Sequence, residues 1–159
     1  MARTPNRTPP RLPLFDRLLQ GDSIETDRSV DRAMQEMHES VRRDLEILFN
    51  TRPADIPVDP RLTELRKSIL AYGLKEVQSQ HLASATQQEQ FRRGLEDVIR
   101  RFEPRFRELS ITLVAPENQI ERVLRFQINA VLETDSSSEA VIFNTAIDPV
   151  TGMLSINGR

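Results

Sequence analysis

The chain has 159 residues, a formal net charge of −2 and 29% charged residues with both signs interleaved, so it offers no global field to attract nucleic acid or anionic lipid. It contains no cysteine, which excludes disulfides, thiolate zinc sites and cysteine nucleophiles. The length fits one domain; no run reaches the roughly 20 apolar residues of a membrane span and the N-terminus lacks a secretory apolar run, so a soluble cytoplasmic protein is expected.

Residues 1–13 hold four prolines and Arg3, Arg7 and Arg11, with no acid. Such a segment cannot offset the entropy of ordering, and a disordered arm is expected there, followed by a single domain over 14–159. Leu14, Phe15, Leu18 and Leu19 then recur at helical spacing up to Gly21. This apolar cluster reads as one or two helical turns that clip onto the body.

From Ser29 to Thr51 the residues Val30, Met34, Met37, Val41, Leu45 and Leu48 recur at steps of three and four. That stripe predicts a long amphipathic helix capped by Ser29 and stopped by Pro53, with Glu39 and Arg43 paired four apart on the opposite face. Asp59, Pro60 and Gly73 predict the start and stop of a second helix whose stripe is Leu62, Leu65, Ile69 and Tyr72. The stretch 74–85 is weakly patterned. Thr86 and Glu89 predict a capping box for a third helix with Phe91, Leu95, Val98 and Phe102 inward. Gly94 costs that helix about 1 kcal/mol relative to alanine, which suggests close packing there.

Helical patterning ends at Phe102-Glu103-Pro104-Arg105-Phe106. Proline removes a backbone donor and biases its neighbour towards extended geometry, so Glu103 and Arg105 are held in a narrow range of relative positions. Two flanking aromatics predict partial burial of the pair. Beyond the joint, Leu109, Ile111 and Leu113, then Leu124, Phe126, Ile128, Ala130 and Leu132, alternate with polar residues at period two. Val141, Phe143 and Ile147 continue the pattern, and Asp148 to Gly152 form a turn into Met153 to Ile156. The expected fold is α+β, with N-terminal helices packed on one face of a small antiparallel β-meander.

The chemistry-bearing residues are sparse. His38 and His81 are far apart and lack carboxylates at metal-site spacing, so no metal and no cofactor is expected. Glu89, Glu96 and Glu103 recur every seven residues, which separates neighbours by roughly 10.5 Å along a helix. That exceeds the spacing of paired glycosidase acids and reads as a solvated acidic ridge.

Leu14-Phe15-Asp16-Arg17-Leu18, Ser40-Val41-Arg42-Arg43-Asp44-Leu45-Glu46 running into Asn50-Thr51-Arg52, Tyr72-Gly73-Leu74, and Phe102-Glu103-Pro104-Arg105 before a β tail occur in this order. The set resembles the TssE family of type VI secretion baseplate subunits, relatives of the contractile phage tail wedge protein once labelled lysozyme-like. Leu48-Phe49 stands where two leucines are more usual, and the basic arm has no counterpart.

The resemblance implies a non-enzymatic, cytoplasmic assembly protein at the inner face of the bacterial inner membrane. Its implied partners are TssF and TssG in the wedge and TssB and TssC in the sheath, with TssK and the inner tube and spike as further neighbours, and no nucleic acid or membrane insertion. Glu103, Pro104 and Arg105, with Arg42 and Arg43, are the implied partner-binding residues. Edge strands carrying Val141, Phe143, Thr145 and Ile147, or Leu154 and Ile156, are expected to receive the sheath by main-chain pairing. The rival expectation is a lysozyme-like peptidoglycan hydrolase using Glu96 or Glu103.

Overall fold

The structure, a computed structural model, describes residues 9–20, 29–57, 59, 61–74, 84–114, 123–134, 137–148 and 151–158. Among the described residues, three α-helices precede four strands: α1 Leu14–Gln20, α2 Val30–Asn50, α3 Ala85–Phe102, β1 Phe106–Val114, β2 Leu124–Glu133, β3 Ser138–Ile147 and β4 Leu154–Gly158. The strands form one antiparallel sheet in the order β1-β2-β3-β4. The α+β meander expected from the alternating pattern is present, with the helices N-terminal to the strands.

Each strand buries alternate residues on the helix side: Leu109 and Ile111, Phe126 to Leu132 at every second position, Val141 to Ile147 likewise, then Leu154 and Ile156. They pack with Val41, Leu45, Leu48 and Phe49 of α2 and with Phe91, Leu95 and Ile99 of α3. Tilted contacts of Phe91 with Phe126 and of Phe106 with Phe143 join helix, joint and sheet. The opposite face is polar and mostly uncharged; Thr112, Gln127, Asn144 and Asn157 lie in register across the four strands.

Ser29 caps α2 by accepting from the Arg32 N–H, as its position predicts. The second helix is a correction. Among the described residues between Asp59 and Gly73 there is no α-helix, only two short 3-10 turns, Leu65–Lys67 and Ile69–Ala71. Ser68 interrupts them in an extended conformation, with its hydroxyl accepting from the Leu70 N–H. Local side-chain bonding of this kind competes with a continuous helix, and Leu62 and Ile69 are left exposed. Gly73, at φ 114°, lets the chain fold back so that Leu74 N–H donates to Thr51 O at 2.9 Å.

The third helix starts two residues early. Its capping box is Ser84 with Gln87, because Ser84 takes the extended cap conformation. Ile99 belongs to its buried stripe. Gly94 is also a correction: an added Cβ would meet nothing within 4 Å, since Gly94 lines an open groove of about 930 Å³ between α3 and the 53–74 segment.

At the N-terminus the expected polarity is reversed. Leu14, Phe15, Leu18 and Leu19 are 68%, 64%, 71% and 68% exposed, while Asp16 is buried. α1 is held by its carboxylate, which accepts from Ser40 Oγ at 2.6 Å and from Arg43 at 2.5 Å. Pro10 and Leu12, just before α1, are also buried. The expectations for residues 1–8, Gly21, Pro60, His81 and the Pro149-Val150 tip lie outside the described residues.

Candidate protein-docking site

Glu103 is the C-cap of α3, its N–H donating to Ile99 O at 2.8 Å, and only 5% of its surface is exposed. Its carboxylate accepts from the Nε, a terminal nitrogen and the backbone N–H of Arg105. The same guanidinium donates to Asp44 Oδ2 of α2 at 2.7 Å. Arg105 O accepts from the Glu133 N–H at 2.9 Å. The tripeptide therefore ties α2, α3, β1 and the end of β2 together, with Pro104 on the outside.

Burial opposes the Arg105 charge, but Glu103 and Asp44 outweigh it and hold the guanidinium above its ordinary pKa. Burial, with Asp44 and Glu103 nearby, pushes the Tyr72 phenol up. Tyr72 also meets Phe102 edge-on at 5.2 Å. These groups, Pro104 and the Arg11-Leu12-Pro13 segment line a shallow groove of about 600 Å³. A rigid groove with a few fixed polar groups can seat a partner's side chains; Glu103, Arg105 and Asp44 are already committed to one another, so there shape contributes most.

The remaining expected site residues take different positions. Arg42 bonds Glu39 and Glu46, and its guanidinium also donates to Ile156 O at 3.3 Å. Those two carboxylates hold it above its ordinary pKa. Arg43 turns away from Glu39 to reach Asp16, so the expected Glu39–Arg43 pair is replaced by Glu39–Arg42.

Phe143, Thr145 and Ile147 are a correction as edge residues: β4 covers β3 there, and these side chains, like that of Val141, are buried in the core. Leu154 and Ile156 do lie on an edge strand, β4. That edge is partly closed. Asn50 donates to Leu154 O and accepts from Leu154 N–H, at 2.9 and 3.0 Å, and Arg42 covers Ile156 O. The β1 edge is treated alike: Arg100 donates to Leu109 O at 2.9 Å and Arg92 to Ile111 O at 3.4 Å. Helix side chains thus cap carbonyls on both edges, a device against edge-to-edge pairing.

One stretch is different. β4 pairs only with Phe143–Ile147, so Ser138–Ile142 extends beyond it among the described residues. The Asn50 bonds show that Leu154 points its main-chain groups away from β3; the alternation of an antiparallel ladder then turns Ala140 and Ile142 towards the vacant side. A cavity of about 160 Å³ lined by His38, Arg42, Val141 and Phe143 adjoins it.

His38 is half-buried, its Nε2 3.7 Å from Glu139 Oε2. The acidic ridge is also a correction. Glu89 is bonded by Arg92 and Arg93, Glu96 by Arg92 and Arg100, and Glu103 is buried. Hydrogen bonds from the arginines hold Glu89 down to about 2 and lower Glu96. The seven-residue spacing located these acids but passed over the arginines three and four positions away that neutralise them, a signal the sequence does carry; the Asp16 anchor has no such local signal.

A family model described as baseplate wedge protein gp25 matches residues 35–137. The chain belongs to that family. The gp25 family includes TssE, and its members are structural components of phage-tail-like baseplates, which work in contact with other baseplate and tail proteins. No curated protein and no solved structure matches the chain. The gp25 match spans most of α2, the 51–74 segment, α3, the Glu103-Pro104-Arg105 joint, β1 and β2, and ends one residue before β3; α1, β3 and β4 lie outside it. Among the described residues, no helix is long and apolar enough to cross a membrane.

Proposed function

We propose that this gp25-family protein is a type VI secretion baseplate subunit that docks on TssF and TssG and initiates polymerisation of the TssB/TssC sheath. The observation that carries the reading is the rigid joint: Pro104 is exposed between a buried carboxylate and a guanidinium that are both locked from behind. Glu103 and Arg105 shape the docking surface and Pro104 makes the contact, with Arg42 and Arg43 bracing α2 underneath. TssK and the inner tube and spike are further neighbours in this reading. The protein works in the cytoplasm at the inner face of the inner membrane, without catalysis, cofactor or metal.

For the sheath, the uncovered Ser138–Ile142 stretch is the entry point, because a strand added there displaces no strand pairing among the described residues. Extension along Leu154 and Ile156 requires Asn50 and Arg42 to release the main chain.

Purified TssF–TssG with wild type and Pro104→Glu tests the first contact. Equal binding by both, at equal folding by circular dichroism, would count against the joint. For the sheath, Ala140→Pro removes a donor on the vacant side, where an edge strand tolerates proline. Folded Ala140→Pro is expected to fail in sheath assembly, and normal sheaths would sink that half of the reading.

The hydrolase alternative finds no support in the acids. A glycosidase general acid must be protonated near neutrality, whereas arginines keep Glu89 and Glu96 ionised and Glu103 is closed off by Arg105.

A further inference from the structure

Four large apolar side chains stand on one arc of α1, more than three-fifths exposed each, while Asp16 on the other side fastens the helix to α2. A seven-residue helix is not stable by itself in water. The chain therefore uses a buried carboxylate to hold an apolar surface outward, an arrangement suited to recognition and wasteful as packing. We propose that α1 is a second docking element, whose Phe15 and Leu18 insert into an apolar, acid-rimmed groove on a neighbouring baseplate protein. The proposal rests on the baseplate reading above. The family match begins at Gln35 and so does not cover α1.

Charge selects the occupant. No acid occurs before Asp16, whereas Arg3, Arg7 and Arg11 do, and Arg11 is exposed beside α1. A two-fold contact between copies would bring two exposed Arg11 side chains together, like charge against like. Lipid is the weaker fit, because α1 is only 7 residues long and the chain's net charge of −2 offers no global attraction to anionic lipid. An acid-rimmed groove satisfies both the arm and the apolar arc. Continuity supports it, since Arg11, Leu12 and Arg17 also line the groove at Pro104.

The test compares wild type, Phe15→Glu/Leu18→Glu and Pro104→Glu for binding to purified TssF–TssG by biolayer interferometry, with circular dichroism confirming folding. The α1 variant is expected to lose about 30-fold or more in affinity, the scale of interface anchors, and wild-type binding is expected to weaken with salt. If the α1 variant binds like wild type while Pro104→Glu does not, the inference fails and the baseplate reading stands. If wild type itself does not bind, both fall. Loss of binding to phosphatidylserine-containing vesicles, or of a concentration-dependent dimer in sedimentation, in the α1 variant alone would assign the face to lipid or to a second copy and overturn the proposal.

Discussion

Arg105 reaches back 61 positions to Asp44 at 2.7 Å while enclosing Glu103 with the rest of its guanidinium. One side chain therefore neutralises a buried carboxylate and joins the end of α3 to the middle of α2. A planar fork suits this double task better than an ammonium would.

Arg105→Ala leaves Glu103 buried without its partner, and such a loss typically costs about 3–5 kcal/mol. Urea unfolding is expected to show an unfolding free energy lower by that amount, and a correspondingly lower midpoint, with Arg105→Lys in between. Glu103→Gln/Arg105→Met is expected to recover part of the loss, since the buried carboxylate is gone and Asp44, which also loses its partner, is 38% exposed to water. A midpoint for Arg105→Ala within error of wild type would show that Glu103 is solvated.

Burial opposes ionisation of Asp16, but the bonds from Ser40 and Arg43 together prevail and hold its carboxyl below the ordinary value of 3.8. Its folded pKa is depressed, so its stabilising contribution is complete above pH 3.8 and is lost as pH falls through the lower folded value. The chain has no native cysteine, so a spin label at Leu18→Cys reports α1 alone. The label is expected to be restrained at neutral pH and freed on strong acidification. Asp16→Ala, which removes charge-assisted hydrogen bonds, is expected to free it at every pH.

Gly73 and Gly94 are expected to respond oppositely to alanine. At Gly73 a Cβ would lie 2.2 Å from Thr51 O on a backbone with φ 114°, and a loss of more than about 1 kcal/mol is expected. At Gly94 the new methyl meets open space on a helix, which favours alanine by about 1 kcal/mol. Thermal melts of the two variants check both signs.

The capped edges make a further prediction. Asn50→Ala uncovers Leu154 and Arg100→Ala uncovers Leu109. Each is expected to cost about 0.5–1.5 kcal/mol and to increase self-association at high concentration, measured by sedimentation velocity. Unchanged association in both variants would mean that the edges are protected otherwise.

The long periodic patterns were legible: the stripe of α2 and the alternation of β2 report which face meets the core, because burial itself imposes those periods. The joint at Glu103-Pro104-Arg105 was legible too, through proline geometry and its aromatic neighbours. What failed depended on groups distant in sequence. Ser68 broke a pattern whose Leu62 and Ile69 have no core to face, and Arg43 chose Asp16 over Glu39. Apolar spacing in Leu14 to Leu19 identified a helix but not its orientation, since a buried aspartate is visible only once Ser40 and Arg43 are seen beside it.

The guanidinium and amide groups that rest on Leu109, Ile111, Leu154 and Ile156 act as removable latches. Along these stretches a solitary molecule is thereby guarded against runaway stacking with its siblings, because a strand that pairs there must first evict a tethered competitor of comparable strength. Only a visitor already moored elsewhere on the surface gains the local concentration to win that exchange, which couples opening of the sheet to prior arrival at the correct place.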